Sequence, residues 1–252
     1  MAEAKTVLVT GAAKRLGRAI AIDLARNGWD IAVHFNSSQS DARETADQVR
    51  AAGRRAALVN ADLSDESETG TLVERATGSL GLISALVNSA SIFEPDDWAS
   101  VSRESWNRHL SVNLRAPFVL CQAFARALPG DRKGAIVNII DQRVLKPTPH
   151  FLSYGVSKAA LSWLNITLAQ ALAPRIRVNA VAPGPTIINA RQSEAHFRRQ
   201  REATILGNGA EPQDVCDAVR YLLSASAVTG EMIAVDGGQH LIWQTPDALV
   251  SE

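Results

Sequence analysis

The sequence predicts an α/β fold with a doubly wound parallel sheet of about seven strands. Short β-branched runs alternate with segments of helical periodicity over the whole chain. The runs are apolar throughout, as expected of parallel strands that helices cover on both faces. No repeat, linker or low-complexity tract interrupts the 252 residues, so one domain spanning residues 1–252 is expected.

Local patterns place the individual elements. After the first run, Leu16, Ile20 and Leu24 lie four residues apart on one helical face, and an Asn-Gly pair ends that helix. Further helices are expected from Asp41 to Ala52 and from Pro212 to Leu223. Ligands of such a sheet bind outside the carboxyl ends of its strands. The expected strands are, in order, TVLVT, DIAVHF, AALVNA, ISALVNSA, AIVNII, RIRVNAV and MIAVDGG.

Composition argues against several classes of partner. The 26 basic and 26 acidic residues cancel, so neither nucleic acid nor an anionic membrane surface is expected to bind. No stretch approaches the roughly 20 apolar residues that span a bilayer, and no targeting signal opens the sequence, which predicts a cytoplasmic location. Cys121 and Cys216 lie in apolar helical contexts without metal-ligand spacing. They are expected to be buried, reduced thiols, and no metal site is expected.

The turn after the first strand has the composition of a phosphate-binding loop. In LVTGAAKRLG, Gly11 and Gly17 lie six residues apart between the strand and the first helix. Glycine there lets the backbone approach a pyrophosphate, and the helix N-terminus supplies free N–H groups and partial positive charge. A βα turn can also need glycine for structural reasons, so the turn alone does not establish a nucleotide site.

The end of the second strand favours NADP(H) over NAD(H). Polar side chains stand where NAD-binding folds place an acid on the ribose 2′-hydroxyl. They are His34, Asn36, Ser37 and Ser38. With Lys14 and Arg15 on the neighbouring turn, this pocket can accept a 2′-phosphate, although ordinary solvated loop residues would look the same. Asp62, after the third strand, is a candidate partner of the adenine amino group or a helix N-cap.

Residues from four segments are candidates for a chemical site. Asn113 lies in SVNLRAPF, Asp141 follows the fifth strand, LVNSAS follows the fourth, and YGVSK contains Tyr154 and Lys158. Spacing of four places the phenol and the ammonium on one helical face, where the ammonium can lower the phenol pKa and hold a nicotinamide ribose. Such a phenol can deliver a proton while a nicotinamide delivers a hydride. Taken alone, the Y-x-x-x-K pair could equally be a surface helical pair.

Seven motifs together resemble those of the short-chain dehydrogenase/reductase family, in the family's order and spacing. They are TGAAKRLG, NADLSD, LVNSAS, Asn113 in its segment, YGVSK, RVNAVAPGPT and VTGEMIAVDGG. The resemblance implies a Rossmann-type fold, a nicotinamide cofactor and a homotetramer. It also implies that Tyr154 donates a proton, that Lys158 tunes it, and that Asn113 holds a water linking the lysine to solvent. The residues expected to bind the cofactor are Gly11, Lys14, Arg15, Leu16, Gly17, His34, Asn36, Ser37, Ser38, Asp62, Leu63, Asn88, Ser89, Ala90, Tyr154, Lys158, Pro183, Gly184 and Thr186.

Three departures from the family's common pattern resemble the pteridine reductase branch, which includes bacterial dihydromonapterin and dihydrofolate reductases. Arg15 replaces the middle glycine of the usual TGxxxGxG turn. The usual NNAG ends here at Ser91 as NSAS, and Asp141 takes the position of the serine that normally polarises a carbonyl. The resemblance implies that Phe93 stacks on a pterin. The expected substrate-binding residues are Arg15, Ser91, Phe93, Asp141 and Tyr154, and the expected catalytic residues are Asp141, Tyr154, Lys158 and Asn113.

The chemistry of Asp141 independently favours a pterin or folate substrate. A carbonyl oxygen under reduction develops negative charge, which a carboxylate opposes. A pterin offers C=N bonds whose nitrogen takes up a proton, and N–H groups that a carboxylate accepts. Arg15 and Phe93 are expected to hold the flat ring. The structural alternatives are that Phe93 packs on the core, that Arg15 binds phosphate only, and that Asp141 caps its loop.

Two other functions stay open at this level. One is an NADPH-dependent carbonyl reductase for 3-oxoacyl or sugar ketones. The other is a cofactor-binding interaction protein without catalysis, against which the joint presence of Tyr154, Lys158 and Asn113 argues. A basic segment also follows the PGPT motif, and its charge could meet an acidic tail or form a solvated helix face. It contains His196, Arg198, Arg199 and Arg201.

Overall fold

A computed structural model describes residues 5–243 of the protein. Its sheet has seven parallel strands in the order β3-β2-β1-β4-β5-β6-β7, which confirms the predicted doubly wound Rossmann-type architecture. The strands are β1 (Lys5–Val9), β2 (Trp29–Phe35), β3 (Ala56–Asn60), β4 (Ala85–Asn88), β5 (Gly134–Ile139), β6 (Ile176–Pro183) and β7 (Met232–Val235).

Helices connect the strands and lie on both faces of the sheet. They are α1 (Arg15–Arg26), α2 (Gln39–Ala51), α3 (Glu66–Leu80), α4 (Arg103–Leu110), α5 (Ala116–Ala127), α6 (Leu152–Leu172), α7 (Glu194–Glu202) and α8 (Pro212–Ser224). A π-helical turn, Ser111–Arg115, joins α4 to α5. The three helices predicted from sequence are confirmed with end shifts of one or two residues, as fraying helix ends lead one to expect.

Two apolar layers, one on each face of the sheet, form the core. Along β1, Val7 and Val9 pack on α1 and α8, whereas Leu8 between them packs on the opposite side with α3 and α5. Successive side chains of a strand point to opposite faces, so a strand buried on both faces must be apolar at every position. The apolar runs in the sequence have this cause.

The strand order reverses between β1 and β4, and this reversal places the ligand crevice. Neighbouring β1 and β4 continue into loops that diverge to opposite faces of the sheet, opening a cleft at their carboxyl ends. Cys121 and Cys216 are buried free thiols, as predicted. Within residues 5–243, no helix has the length and apolar character needed to cross a bilayer.

Candidate active site

The turn between β1 and α1 is packed tightly against the loop after β4. Gly11 has φ +65°, and a Cβ there would lie 2.9 Å from the Ala90 Cα. A Cβ on Gly17 would lie 2.3 Å from the Gly11 carbonyl oxygen. Both positions therefore require glycine because of contacts within the protein itself. Helix α1 has neither a side-chain cap nor an acid in its first turn, which leaves its N-terminal donors open to an anion.

His34 is part of the structure beneath this turn. It is buried, and its Nδ1 accepts a hydrogen bond from the Gly11 N–H at 3.0 Å. Nε2 therefore carries the proton and donates to the Ala61 carbonyl at 3.1 Å. Burial lowers the pKa of His34 to about 4, and the bond to Ala61 opposes that shift. The imidazole is thus neutral near pH 7 and braces the turn.

The expected 2′-phosphate pocket has a basic edge that is partly paired. Lys14 Nζ lies 3.1 Å from a carboxylate oxygen of Asp41 on α2, a partner that the sequence did not indicate. Asn36 lines the cleft, while Ser37 and Ser38 do not. The pocket edge therefore has fewer contributors than the sequence predicted.

Arg15 connects the cofactor turn to the loop after β6. Its backbone is left-handed, with φ 52°, a conformation that glycine adopts more readily than arginine. Its guanidinium donates to the Ile188 carbonyl at 2.7 Å and to the Ile187 carbonyl at 2.9 Å. It also lines the cleft. Arg15 thus ties together two loops on opposite sides of the cleft.

The loop after β4 is held at the crevice by Thr10. Its hydroxyl accepts hydrogen bonds from the Ser89 and Ala90 N–H groups at 2.9 and 3.0 Å. Ser89 and Ala90 line the cleft, whereas the buried Asn88 side chain donates to Asn138 Oδ1 beneath it. Asn88 therefore supports the loop from inside the protein.

Asp62 lines the cleft together with Leu63. Its carboxylate accepts from the Ser64 N–H at 2.9 Å and from the Ser64 hydroxyl at 2.8 Å, and these bonds lower its pKa. The alternative that Asp62 caps a helix is wrong, because Asp65 is the N-cap of α3.

Asp141 and Tyr154 form the centre of the site. Tyr154 Oη donates to Asp141 Oδ2 at 2.7 Å. The same carboxylate accepts from the Arg143 N–H at 2.8 Å and forms an ion pair with the Arg143 guanidinium at 3.2 Å. Asp141 therefore caps its loop and also accepts the phenolic hydrogen of Tyr154.

Lys158 lies beneath Tyr154, with its Nζ 5.8 Å from the ring centre, yet the phenol pKa is raised and not lowered. Its Nζ donates to the Ile139 carbonyl at 2.9 Å, and burial lowers its pKa to about 8 while Asp141 opposes that shift. Burial, followed by the Asp141 charge and hydrogen bond, raises the pKa of Tyr154 well above its usual range. The prediction of a lowered phenol pKa is therefore wrong, since sequence spacing carries no information about burial or about the direction of Asp141.

Asn113 lies in the π-helical turn and is fully buried. Its side chain accepts from the Ile92 N–H at 2.9 Å and from the Ser91 hydroxyl at 3.1 Å, and donates to the Ser157 hydroxyl at 3.1 Å. These bonds join the loop after β4 to α6. Asn113 thus fixes the wall that carries Ser91.

Phe93 lies beside the phenol in a cluster of rings and guanidinium groups. Its ring stacks on Phe151 with centroids 4.3 Å apart and meets Tyr154 edge-on at 4.7 Å. The guanidinium carbons of Arg143 and Arg191 lie 5.2 and 5.3 Å from the ring centre. Nothing in the sequence marked Phe151, Arg143 or Arg191, because they meet Phe93 only through the fold.

A buried polar network behind Tyr154 was also missed. Ser153 donates its hydroxyl to the Asp96 carboxylate and accepts from His109 Nδ1, whose Nε2 accepts from the Glu94 N–H at 3.3 Å. Asp96 also accepts from the Ser153 N–H at 3.1 Å, and its carbonyl accepts from the Phe151 N–H at 2.7 Å. The network fixes the start of α6, where Phe151 adopts a left-handed conformation with φ 60°.

The cleft encloses about 870 Å³ and brings most of the predicted residues together. Gly184, Pro183 and Thr186 close its far wall, where Gly184 approaches Asp236 so closely that a Cβ would lie 2.7 Å from the Asp236 Cβ. Leu16 lines the same cleft. Over residues 5–243, no three side chains of His, Cys, Asp or Glu cluster so as to hold a metal ion.

Comparison with known proteins agrees with this architecture. Residues 11–240 match the model of a family described as enoyl-(acyl carrier protein) reductase. The 3beta-hydroxysteroid dehydrogenase 1 of Eggerthella lenta is 38% identical over 247 residues, which cover 94% of each chain. FolM alternative dihydrofolate reductase 1 from Brucella canis, complexed with NADP, is 46% identical with a TM-score of 0.93 over 96% of each chain. The Brucella suis FolM structure, also in complex with NADP, is 44% identical with a TM-score of 0.90 over 97% of this chain and 98% of that one.

The family match spans most of the chain, and the cleft holds Tyr154 and Lys158 at the carboxyl ends of a seven-stranded parallel sheet. This protein therefore belongs to the short-chain dehydrogenase/reductase family.

Proposed function

We propose that the protein is an NADPH-dependent reductase that transfers hydride to a C=N bond of a dihydropterin and yields the tetrahydro form. The substrate class is dihydromonapterin, dihydrobiopterin or dihydrofolate. The observation that carries this proposal is the bond from Tyr154 Oη to the Asp141 carboxylate, with the Phe93 ring beside it. The likeness to two structures named dihydrofolate reductase supports it.

The donor set of the cleft fits NADP(H). Uncapped N–H groups at the start of α1 suit a pyrophosphate, and Lys14, although paired with Asp41, suits a 2′-phosphate near the end of β2. The Arg15 guanidinium is held by the Ile187 and Ile188 carbonyls and is therefore not assigned to the 2′-phosphate. Asn36 belongs to the same end, while Asp62 and Leu63 suit the adenine. When bound, NADPH supplies the hydride. The residues proposed to hold the rest of the cofactor are Leu16, Ser89, Ala90, Tyr154, Lys158, Pro183, Gly184 and Thr186.

Asp141 selects the substrate through its charge. A carboxylate cannot stabilise the negative oxygen that forms when a carbonyl is reduced. It accepts hydrogen bonds from N–H groups, which a pterin presents along its ring edge. Arg143 N–H and guanidinium donors hold the carboxylate in place, so its orientation is fixed before the substrate arrives.

Tyr154 keeps its proton until the substrate needs it. The raised phenol pKa means that the hydroxyl is protonated across the neutral range. The nitrogen of the C=N bond takes that proton as hydride reaches the carbon, once the hydroxyl has turned from Asp141 to the substrate. The Lys158 ammonium, 5.8 Å from the centre of the Tyr154 ring, offsets the charge of the phenolate that remains. Lys158 is held by the Ile139 carbonyl below, where its charge offsets that of Asp141.

Phe93 offers a flat apolar surface for the pterin ring. Phe151 stacks on one face of the Phe93 ring, and an edge-on contact with Tyr154 sets the angle between the Phe93 ring and the proton donor. Stacking on an aromatic ring restrains a flat substrate and orients its C=N bond for hydride transfer. Arg15, which ties the loop of Ile187 and Ile188 across the cleft, closes the opposite side.

Steady-state kinetics with NADPH tests the proposal. We expect kcat/KM for a dihydropterin to exceed that for a 3-oxoacyl thioester. The second candidate is a carbonyl reductase, favoured by the 38% identity to a hydroxysteroid dehydrogenase, and it predicts the reverse order. NADPH binding without turnover of either substrate would instead indicate a non-catalytic cofactor-binding protein.

A further inference from the structure

Arg191 is a cation at the substrate end of the cleft that the proposed reaction does not use. It lines the cleft and follows the loop that Arg15 holds. Its Nη2 donates to the Phe93 carbonyl at 2.6 Å, while its guanidinium carbon lies 5.3 Å from the Phe93 ring centre. Two contacts with one residue fix the guanidinium beside the surface proposed to stack on the pterin.

Within residues 5–243, no carboxylate forms an ion pair with Arg191. Of the acids that line the cleft, Asp62 lies at the adenine end and Asp141 is paired with Arg143. Arg108 also lines the cleft, but Glu94 pairs with it at 2.9 Å.

The geometry points to Arg191 as the recognition group for an oxyanion on the side arm of the substrate. This inference rests on the proposed pterin reduction and narrows its substrate class to pterins with a phosphate or carboxylate on the arm. A guanidinium presents N–H donors in a planar fork that matches both groups, and the bond to Phe93 occupies one of them. His196, which also lines the cleft, adds a second nitrogen donor or acceptor at this end.

A matched substrate pair tests the assignment. 7,8-Dihydroneopterin and its 3′-monophosphate share the reacting ring and differ only in the anion, and dihydrofolate provides the carboxylate case. We expect Arg191→Gln to lower the kcat/KM ratio of the phosphate over the neutral pterin about tenfold. If Arg191→Gln also lowers kcat/KM for dihydrofolate relative to the neutral pterin, Arg191 binds carboxylates as well. If only the value for the phosphate falls, Arg191 binds phosphate alone.

Arg198→Gln is the control, because it removes the same charge from an exposed position on α7 that does not line the cleft. It should leave the ratio unchanged. The inference is overturned if Arg191→Gln lowers kcat/KM equally for all three pterins, which would mean that Arg191 only positions Phe93. An unchanged ratio also overturns it. Failure of the wild-type enzyme to reduce any of the three would instead refute the proposed function, and the inference with it.

Discussion

Tyr154 donates its phenolic hydrogen to the Asp141 carboxylate at 2.7 Å, so a carboxylate lies directly against the phenol in the cleft. The contact has two consequences. It helps to raise the pKa of the phenol. It also means that the group beside the phenol can only accept hydrogen bonds from a substrate and cannot donate them. Substrate N–H groups suit this polarity, and an incipient alkoxide does not.

Tyr154→Phe should remove most of the turnover without weakening NADPH binding. The phenol is the group that can deliver the proton, and general acid catalysis typically contributes about 100-fold to 10,000-fold in rate. The ring and its contact with Phe93 survive in the variant, so the cleft should keep its shape. Single-turnover NADPH oxidation measures the rate, and fluorescence titration of NADPH measures the affinity. A variant that retained half of the wild-type rate would show that another group supplies the proton.

Arg15→Gly should change the stability of the fold little yet impair pterin binding, because the relieved backbone strain and the lost hydrogen bonds oppose each other. Glycine relieves the left-handed conformation of a non-glycine residue, which costs about 1 kcal/mol. The variant also loses both bonds to the Ile187 and Ile188 carbonyls, so the loop across the cleft is released. Urea unfolding should show little change in stability, while KM for the pterin rises. Arg15→Lys keeps the positive charge but lacks the planar guanidinium, so it separates the effect of the two hydrogen bonds to Ile187 and Ile188 from the effect of charge.

Acid should destabilise the protein through His34. The pKa of this residue is lowered from 6.5 to about 4 on folding, so the unfolded chain binds the proton first as pH falls. Stability conferred by neutral His34 is present above pH 6.5 and is lost as pH falls towards 4. From pH 7 to pH 5 this loss is about 2 kcal/mol.

Denaturant unfolding at the two pH values measures that loss. His34→Asn, whose amide oxygen can replace the acceptor for the Gly11 N–H, should be less stable at pH 7 but should show a smaller loss on acidification. Equal losses in the variant and the wild type would assign the acid sensitivity to other groups.

Asp96→Asn should destabilise the fold by about 2 kcal/mol, because a buried carboxylate that accepts from Ser153 and Ser105 is replaced by an amide that brings two donors. The matched control is Asp97→Asn, whose carboxylate only closes a local turn with Ala99 and Ser100. Asp97→Asn should lower the free energy of unfolding by well under half as much as Asp96→Asn. Thermal or urea unfolding of the two variants side by side gives the comparison, and equal costs would show that the buried network is not special.

The fold was predictable because its causes are local. In TVLVT the three central residues, Val7, Leu8 and Val9, are consecutive and apolar, which indicates a strand buried on both faces. Helix ends followed Asn-Gly and Pro signals to within two residues. Asp141 follows β5, and parallel strands deliver their loops to one edge of the sheet, so its place in the cleft was predictable from strand order. The resemblance to the family implied that Tyr154, Lys158 and Phe93 would join it.

Distant contacts account for what the sequence did not predict. The pKa of Tyr154 depends on burial and on the direction of Asp141, neither of which spacing contains. His34 resembled a polar strand end but is buried beneath the cofactor turn, and Lys14 meets an acid on a different helix. Phe151 could not be predicted as a site residue because only the fold stacks its ring on Phe93.

The most direct test of the central claim is the ratio of kcat/KM for a dihydropterin to kcat/KM for a 3-oxoacyl thioester, measured in the wild type and in Asp141→Ser. We expect the wild type to favour the pterin and the serine variant to lower the ratio about a hundredfold, because a hydroxyl can donate to a developing oxyanion where the carboxylate cannot. A serine variant with an unchanged ratio and full pterin reduction would show that Asp141 only holds its loop and does not select the substrate.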